Sequence, residues 1–254
     1  MKNKTCQLLL VLAYIFCQPL QGQDVAEAMK AIYMKDYDYA KDIINSGIDV
    51  NQMNRGSYLL HIACYRGNLE LTELLVEKEA NINIVAGDGS TPLIQAAHGD
   101  TTGKIIRFLI KKGAHVNATD KTGRSALREA TYQACQKKNN ACFQIVNTLL
   151  KNGAEVENEV PDGAAKGYTN LMTAAGWDNN ELCNLFLEYG ADVNHQADDG
   201  NTPLMIAAKK GNLSLVKLFV EKGADINLKD FDGNTAIQIA RAEGNTDIVN
   251  YLSR

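Results

Sequence analysis

The chain has 254 residues, 45% of them hydrophobic, with six cysteines and a formal charge of −4, enough to bury one continuous core. The acidic balance opposes nucleic acid, whose binding needs a concentrated basic face, and it deepens to −6 once Lys2 and Lys4 of a removable leader are discounted. No run of five like charges marks an interaction tail.

Residues 1–22 read as an export signal. Lys2 and Lys4 form a basic start, Leu8 to Phe16 is unbroken and apolar, and Pro19 ends the run before a small residue at Gly22-Gln23. The run is too short to span a bilayer, which takes about 20 apolar residues. A buried N-terminal helix and a lipid-bearing Cys17 are the competing readings. Against the first, nothing polar patterns the run; against the second, bulky Phe16 sits where lipidation sites want a small residue. The expected location is therefore periplasmic or secreted.

Residues 24–54 follow as a degenerate helical pair. Ala26, Met29, Ile32 and Tyr33 fall at helical spacing, then Ala40, Ile43 and Ile44, then Gly47-Ile48-Asp49-Val50-Asn51. Five further units occupy 55–87, 88–120, 121–165, 166–198 and 199–231, with a closing piece at 232–254. Asp199–Asn227 shows the pattern whole. Asp199-Gly200 makes a tight turn, Thr202 is an N-cap and Pro203 takes the first helical position. One helix runs to Gly211. A second follows Asn212, is expected to bury Leu215, Val216, Leu218, Phe219 and Val220, and stops at Gly223.

Gly56 to Gly89, Gly167 to Gly200 and Gly200 to Gly233 are all steps of 33 residues. The third unit carries one extra residue near Gly99-Asp100. The fourth is longer: Gly123 to Gly167 is 44, and about seven of the added residues are expected between its helices around Gln136–Asn140, the rest near Pro161-Asp162-Gly163. Thr91-Pro92-Leu93, Thr202-Pro203-Leu204, Gly190–Asn194 and Gly223–Asn227, recurring at this period, resemble the ankyrin repeat. The resemblance covers nearly everything after residue 23. It implies an all-α solenoid of helix-turn-helix units joined by β-hairpin-like loops, about seven repeats in all. The first and last would be caps, because a unit of this size cannot bury its own apolar face.

By that resemblance, the turn tips and the ends of the first helices point into one groove. Tyr65, Arg66, Arg124, Tyr132, Tyr168, Trp177, Lys209 and Lys210 are the candidates for partner contact, since exposed aromatics and arginines dominate binding hot spots. The same residues taken singly are ordinary exposed side chains. Gly176 beside Trp177 is read as clearing space for the indole. His61 stands at the family's T-P-L-H position, where the ring braces neighbouring loops.

Cys6 and Cys17 leave with the leader. Cys64 and Cys183 fall in slots held elsewhere by alanine or valine and read as small buried hydrophobes. Cys135 and Cys142 bracket the fourth-unit insertion. An oxidising compartment permits a disulfide there, with two unbridged thiols on a helix extension as the alternative.

No cysteine pair has the spacing of a structural zinc site, and the histidines are scattered, so no metal or other cofactor is expected. Nucleophile elbow, zinc-protease motif, phosphate loop and dinucleotide fingerprint are all missing from the sequence, so no catalytic residue is assigned. The expectation is a monomeric, non-catalytic, exported scaffold that binds a protein partner. The alternative is an inhibitor or protective subunit that occludes an enzyme with the fourth-unit insertion.

Overall fold

The structure, a computed structural model, describes residues 21–254 except 138, 139, 161, 162, 164 and 165. The basic and apolar parts of the leader lie outside the described residues, as does the middle of the fourth-unit insertion. Fourteen helices and no strand are found among the described residues. They pair as α1 Gln21–Met34 and α2 Tyr37–Asn45; α3 Leu59–Tyr65 and α4 Leu69–Glu77; α5 Pro92–Gly99 and α6 Lys104–Lys111; α7 Ala126–Lys137 and α8 Asn140–Lys151. Next come α9 Asn170–Gly176 and α10 Asn180–Glu188; α11 Pro203–Lys210 and α12 Leu213–Glu221; α13 Ala236–Ala242 and α14 Thr246–Leu252. Each first helix stacks on the first helix of the next pair, and the pairs share one continuous apolar core. This is the expected all-α solenoid.

Local chemistry explains why the helices start where they do. Thr91, Thr169 and Thr202 cap first helices by accepting from the backbone N–H three residues on, while Asn68, Asn179 and Asn212 cap second helices in the same way. The extra residue of the third repeat displaces that asparagine, and buried Asp100 takes over. Its Oδ1 accepts from the N–H groups of Thr102 and Gly103, each at 2.9 Å, and Oδ2 from that of Ile106 at 3.1 Å.

Two ladders tie the repeats together. At the turn tips, backbone bonds run from Gly87 N to Gly56 O (2.7 Å), Lys121 N to Asp88 O (3.0 Å), Asp198 N to Lys166 O (3.2 Å) and Phe231 N to Asp199 O (3.1 Å). At the opposite loops an asparagine staples each of four repeats to the next. Asn83 Nδ2 donates to Gly113 O (3.1 Å) while its Oδ1 accepts from His115 N (2.8 Å). Asn51, Asn117 and Asn194 repeat this pair of bonds. In the fourth repeat Glu157 holds the slot and accepts from Asp192 N at 2.7 Å. A carboxylate has no hydrogen to give to the carbonyl that an asparagine would reach.

Three expectations are revised. The fourth-repeat insertion enters the helices rather than a loop: α7 and α8 are each 12 residues long, against seven to nine for the other helices after α1. Helical periodicity continues through Ala134, Cys135, Cys142 and Ile145, all buried, so added residues pay more as turns against the core than as exposed chain. Leu218 and Val220 are half-buried rather than fully in the core, whereas Leu215, Val216 and Phe219 are fully enclosed. Gly176 is not needed for room, because a methyl there would meet Ile206 Cγ2 at 3.9 Å, an ordinary contact. Cys64 and Cys183 are buried, as expected, and burial pushes the Cys64 thiol up to about 12.

His61 is buried and donates from Nε2 to the Ser90 carbonyl at 2.9 Å, bracing the second repeat against the third. Burial pushes its pKa below the ordinary 6.5, outweighing the Ser90 bond. A depressed histidine stabilises the fold fully above its unfolded value and loses that contribution as pH falls, because the unfolded chain takes the proton first. The unfolding free energy read from urea denaturation is therefore expected to drop as pH falls below 6.5, by at most about 1.4 kcal/mol per pH unit. His61→Gln should flatten that profile; an unchanged slope would assign the loss to other groups.

Candidate functional site

The first helices of the fourth and fifth repeats bring Tyr132, Trp177 and Tyr168 around one cavity of about 500 Å³. Tyr132 projects from α7 and Trp177 caps the C-terminus of α9. Their rings meet edge to face, 6.2 Å between centroids at 88°. Such pairs contribute about 0.5–1.5 kcal/mol beyond area burial, so each holds the other in place. Yet 44% of Tyr132 and 42% of Trp177 remain exposed, which keeps both rings open to a partner. Tyr168 closes the turn-tip end, half-buried, its hydroxyl donating to Asp199 Oδ2 at 3.1 Å. Burial first, and the Asp199 charge second, raise that phenol to about 12, so it stays a donor at any working pH.

A polar row borders the aromatics. Tyr65 stacks on His98, centroids 4.9 Å apart and 10° from parallel. His98 Nδ1 lies 2.7 Å from Glu129 Oε1, which also accepts from Gln133 Nε2 at 2.9 Å. Glu129 Oε2 accepts from Arg124 Nη1 at 3.2 Å, and Arg124 Nε donates to Asp120 Oδ2 at 3.0 Å. Burial tends to raise Asp120, but bonds from Thr122 and Arg124 outweigh it and hold the carboxyl below its ordinary range. Arg124 is thus committed to two carboxylates of its own chain.

The other sequence candidates lie apart from the cavity. Arg66 donates to the Tyr33 carbonyl at 2.8 Å and sits 5.1 Å over the Tyr33 ring, which ties the second repeat to the first. Lys209 and Lys210 are exposed at the end of α11, outside the cavity lining. Cys135 and Cys142 are buried thiols on the facing helices α7 and α8.

Sequence reasoning missed Arg128 and Glu129. Aligned first helices place His61, Ile94, Met172 and Met205 opposite Arg128, and Ile62, Gln95, Thr173 and Ile206 opposite Glu129. A charged pair in slots otherwise mostly apolar was the available signal. Both residues line the cavity. Among the described residues no group of three metal-ligating side chains is gathered, and no helix is long and apolar enough to cross a membrane.

Comparison with known proteins places this geometry in context. Rat protein phosphatase 1 regulatory subunit 12A is 32% identical over 167 residues, covering 60% of this chain and 16% of that protein. Rat ankyrin repeat and SAM domain-containing protein 6 is 33% identical over 134 residues, covering 50% of this chain and 14% of the relative. The chain thus spans less than a fifth of the length of these relatives. A solved structure of the predatory endopeptidase Bd0816 from Bdellovibrio bacteriovorus in complex with immunity protein Bd3460 contains a chain with TM-score 0.67 and 28% identity. The match covers 78% of this chain and 98% of that one. A family profile of ankyrin repeats, in three copies, matches residues 28–120, 60–159 and 171–254. With its 33-residue steps, paired helices and stapled loops, the protein belongs to the ankyrin-repeat family, a family of protein-interaction modules.

Proposed function

We propose that the protein is an exported, non-catalytic scaffold that binds a protein partner through the concave face, centred on Tyr132, Trp177 and Tyr168. The observation that carries this reading is the exposed Tyr132–Trp177 pair, braced edge to face at the mouth of a cavity. Pre-ordered aromatics lose little side-chain entropy on association, which is what makes such residues effective anchors. Trp177→Ala is expected to weaken partner binding by at least about 2 kcal/mol with little change in folding. Glu188→Ala, on exposed surface, should change neither. Unfolding of the Trp177 variant, read by circular dichroism, would make the ring structural and move the binding face elsewhere. Export is tested in the same preparation, since removal of the leader gives an intact mass that starts near Gln23.

The likeness to a chain of an endopeptidase–immunity protein complex favours a narrower second reading. In it the protein protects its producer by occluding an enzyme. The extended α7 and α8 of the fourth repeat would be the occluding element. Shortening them to the length of the other repeats should abolish inhibition while sparing docking.

A further inference from the structure

Arg128 stands on α7 at the wall of the aromatic cavity, and it differs from every other charged group there. Arg124 is bound to Asp120 and Glu129, and Glu129 is bound to His98, Gln133 and Arg124. No ion pair or side-chain hydrogen bond of Arg128 is found among the described residues, and its Nη1 is shut away from solvent without an acceptor. Its side chain is only half-exposed, and burial lowers its pKa from the ordinary 12.5. A partly desolvated guanidinium with an unmet donor is costly in the empty protein. The two carboxylates whose charge acts on it, Asp120 and Glu129, are already bonded to Arg124, so the chain itself supplies no remedy. The rest of the wall is mostly apolar or aromatic, with Tyr132, Tyr168, Trp177, Met172 and Val160 alongside Thr173 and the mutually paired Arg124 and Glu129.

From this mismatch we propose that the cavity is a carboxylate pocket, in which Arg128 pairs with an aspartate or glutamate side chain of the bound partner while the aromatic rings cover that side chain's methylene stem. The proposal rests on the binding face described above and names what that face reads. Charge complementarity selects the occupant. An arginine or lysine of a partner would meet Arg128 head-on, and a purely apolar side chain would leave the guanidinium without a counter-charge. An acidic side chain satisfies both wall and cation. Bidentate pairing suits a guanidinium, and exclusion of water by the rings strengthens it.

Trp177 is the only tryptophan in the chain, so its emission reports on this pocket alone. The probe is a blocked pentapeptide, acetyl-Ala-Leu-Glu-Leu-Ala-amide, titrated into the full chain. It is compared with the same peptide carrying Gln for Glu, and with the Gln peptide bearing a free C-terminus. The Glu peptide should shift the emission saturably, and the Gln peptide should bind at least about tenfold more weakly, the scale of a charge-assisted hydrogen bond. Arg128→Gln should lose the same factor, whereas Arg241→Gln on the C-terminal cap should lose none. Equal binding of the Glu and blocked Gln peptides, or no saturable response from either, overturns the proposal without any variant being made. Recovery of full affinity by the free C-terminus would overturn the side-chain assignment in favour of chain ends. If Trp177→Ala abolishes binding of the partner protein while Arg128→Gln does not, the binding face stands and the carboxylate pocket falls.

Discussion

Phe219→Ala is expected to lower stability by about 3–5 kcal/mol, the range for removing a buried aromatic whose site cannot collapse. Phe219 is completely enclosed on α12, among the largest buried side chains of the protein. Its helix packs against both α10 and α14, so the cavity would open between three repeats at once. In a solenoid, where stability is a sum of repeat and neighbour terms, such a loss uncouples the C-terminal repeats from the rest. Leu218→Ala on the same helix should cost clearly less, because that side chain is already half in solvent. Urea denaturation of the two variants measures the difference. Equal losses would show that the core does not discriminate the two positions as the structure does.

Asp100→Ala is expected to cost about 2–4 kcal/mol, a surface-sized change with a core-sized effect, since each backbone donor left buried without a partner costs about 1–3 kcal/mol. Its carboxylate is 4% exposed and satisfies the N–H groups of Thr102, Gly103 and Ile106. Asp100→Asn keeps one acceptor oxygen but sets its amide N–H against the donor that the other oxygen served, so it should fall between wild type and alanine. Amide exchange at Thr102, Gly103 and Ile106 should accelerate in the alanine variant. Unchanged protection there would mean that the turn is held by other contacts.

The period of 33 residues, the threonine and asparagine caps and the small-residue positions made the architecture legible, because each repeat must present the same surface to its neighbours. The aromatic centre was legible for the same reason: Trp177 fell off the Leu182, Leu185, Phe186 stripe that faces the core. Departures from the repeat were harder to read. The insertion around Gln136 looked like loop because Lys-Lys-Asn-Asn is polar, yet its flanks continue the helical burial of Cys135 and Cys142. Arg66 and Arg124 looked free for a partner, but their side chains are long and find acceptors in other turns, which spacing along the chain does not show. Leu218 stands in the apolar run Leu218-Phe219-Val220, but only one face of α12 meets neighbours, and it stands at that face's edge.

Glu157 has a mechanical consequence. Four loops are fastened to the next by an asparagine with two bonds, whereas the fourth is fastened to the fifth by one. Under tension along the solenoid axis, the fourth–fifth seam is where this ladder yields first, parting a block of four repeats from a block of three. The aromatic cavity straddles that same seam, with Tyr132 on one block and Trp177 on the other. A partner seated there would grip both sides, so that occupancy clamps a joint this ladder holds by a single bond.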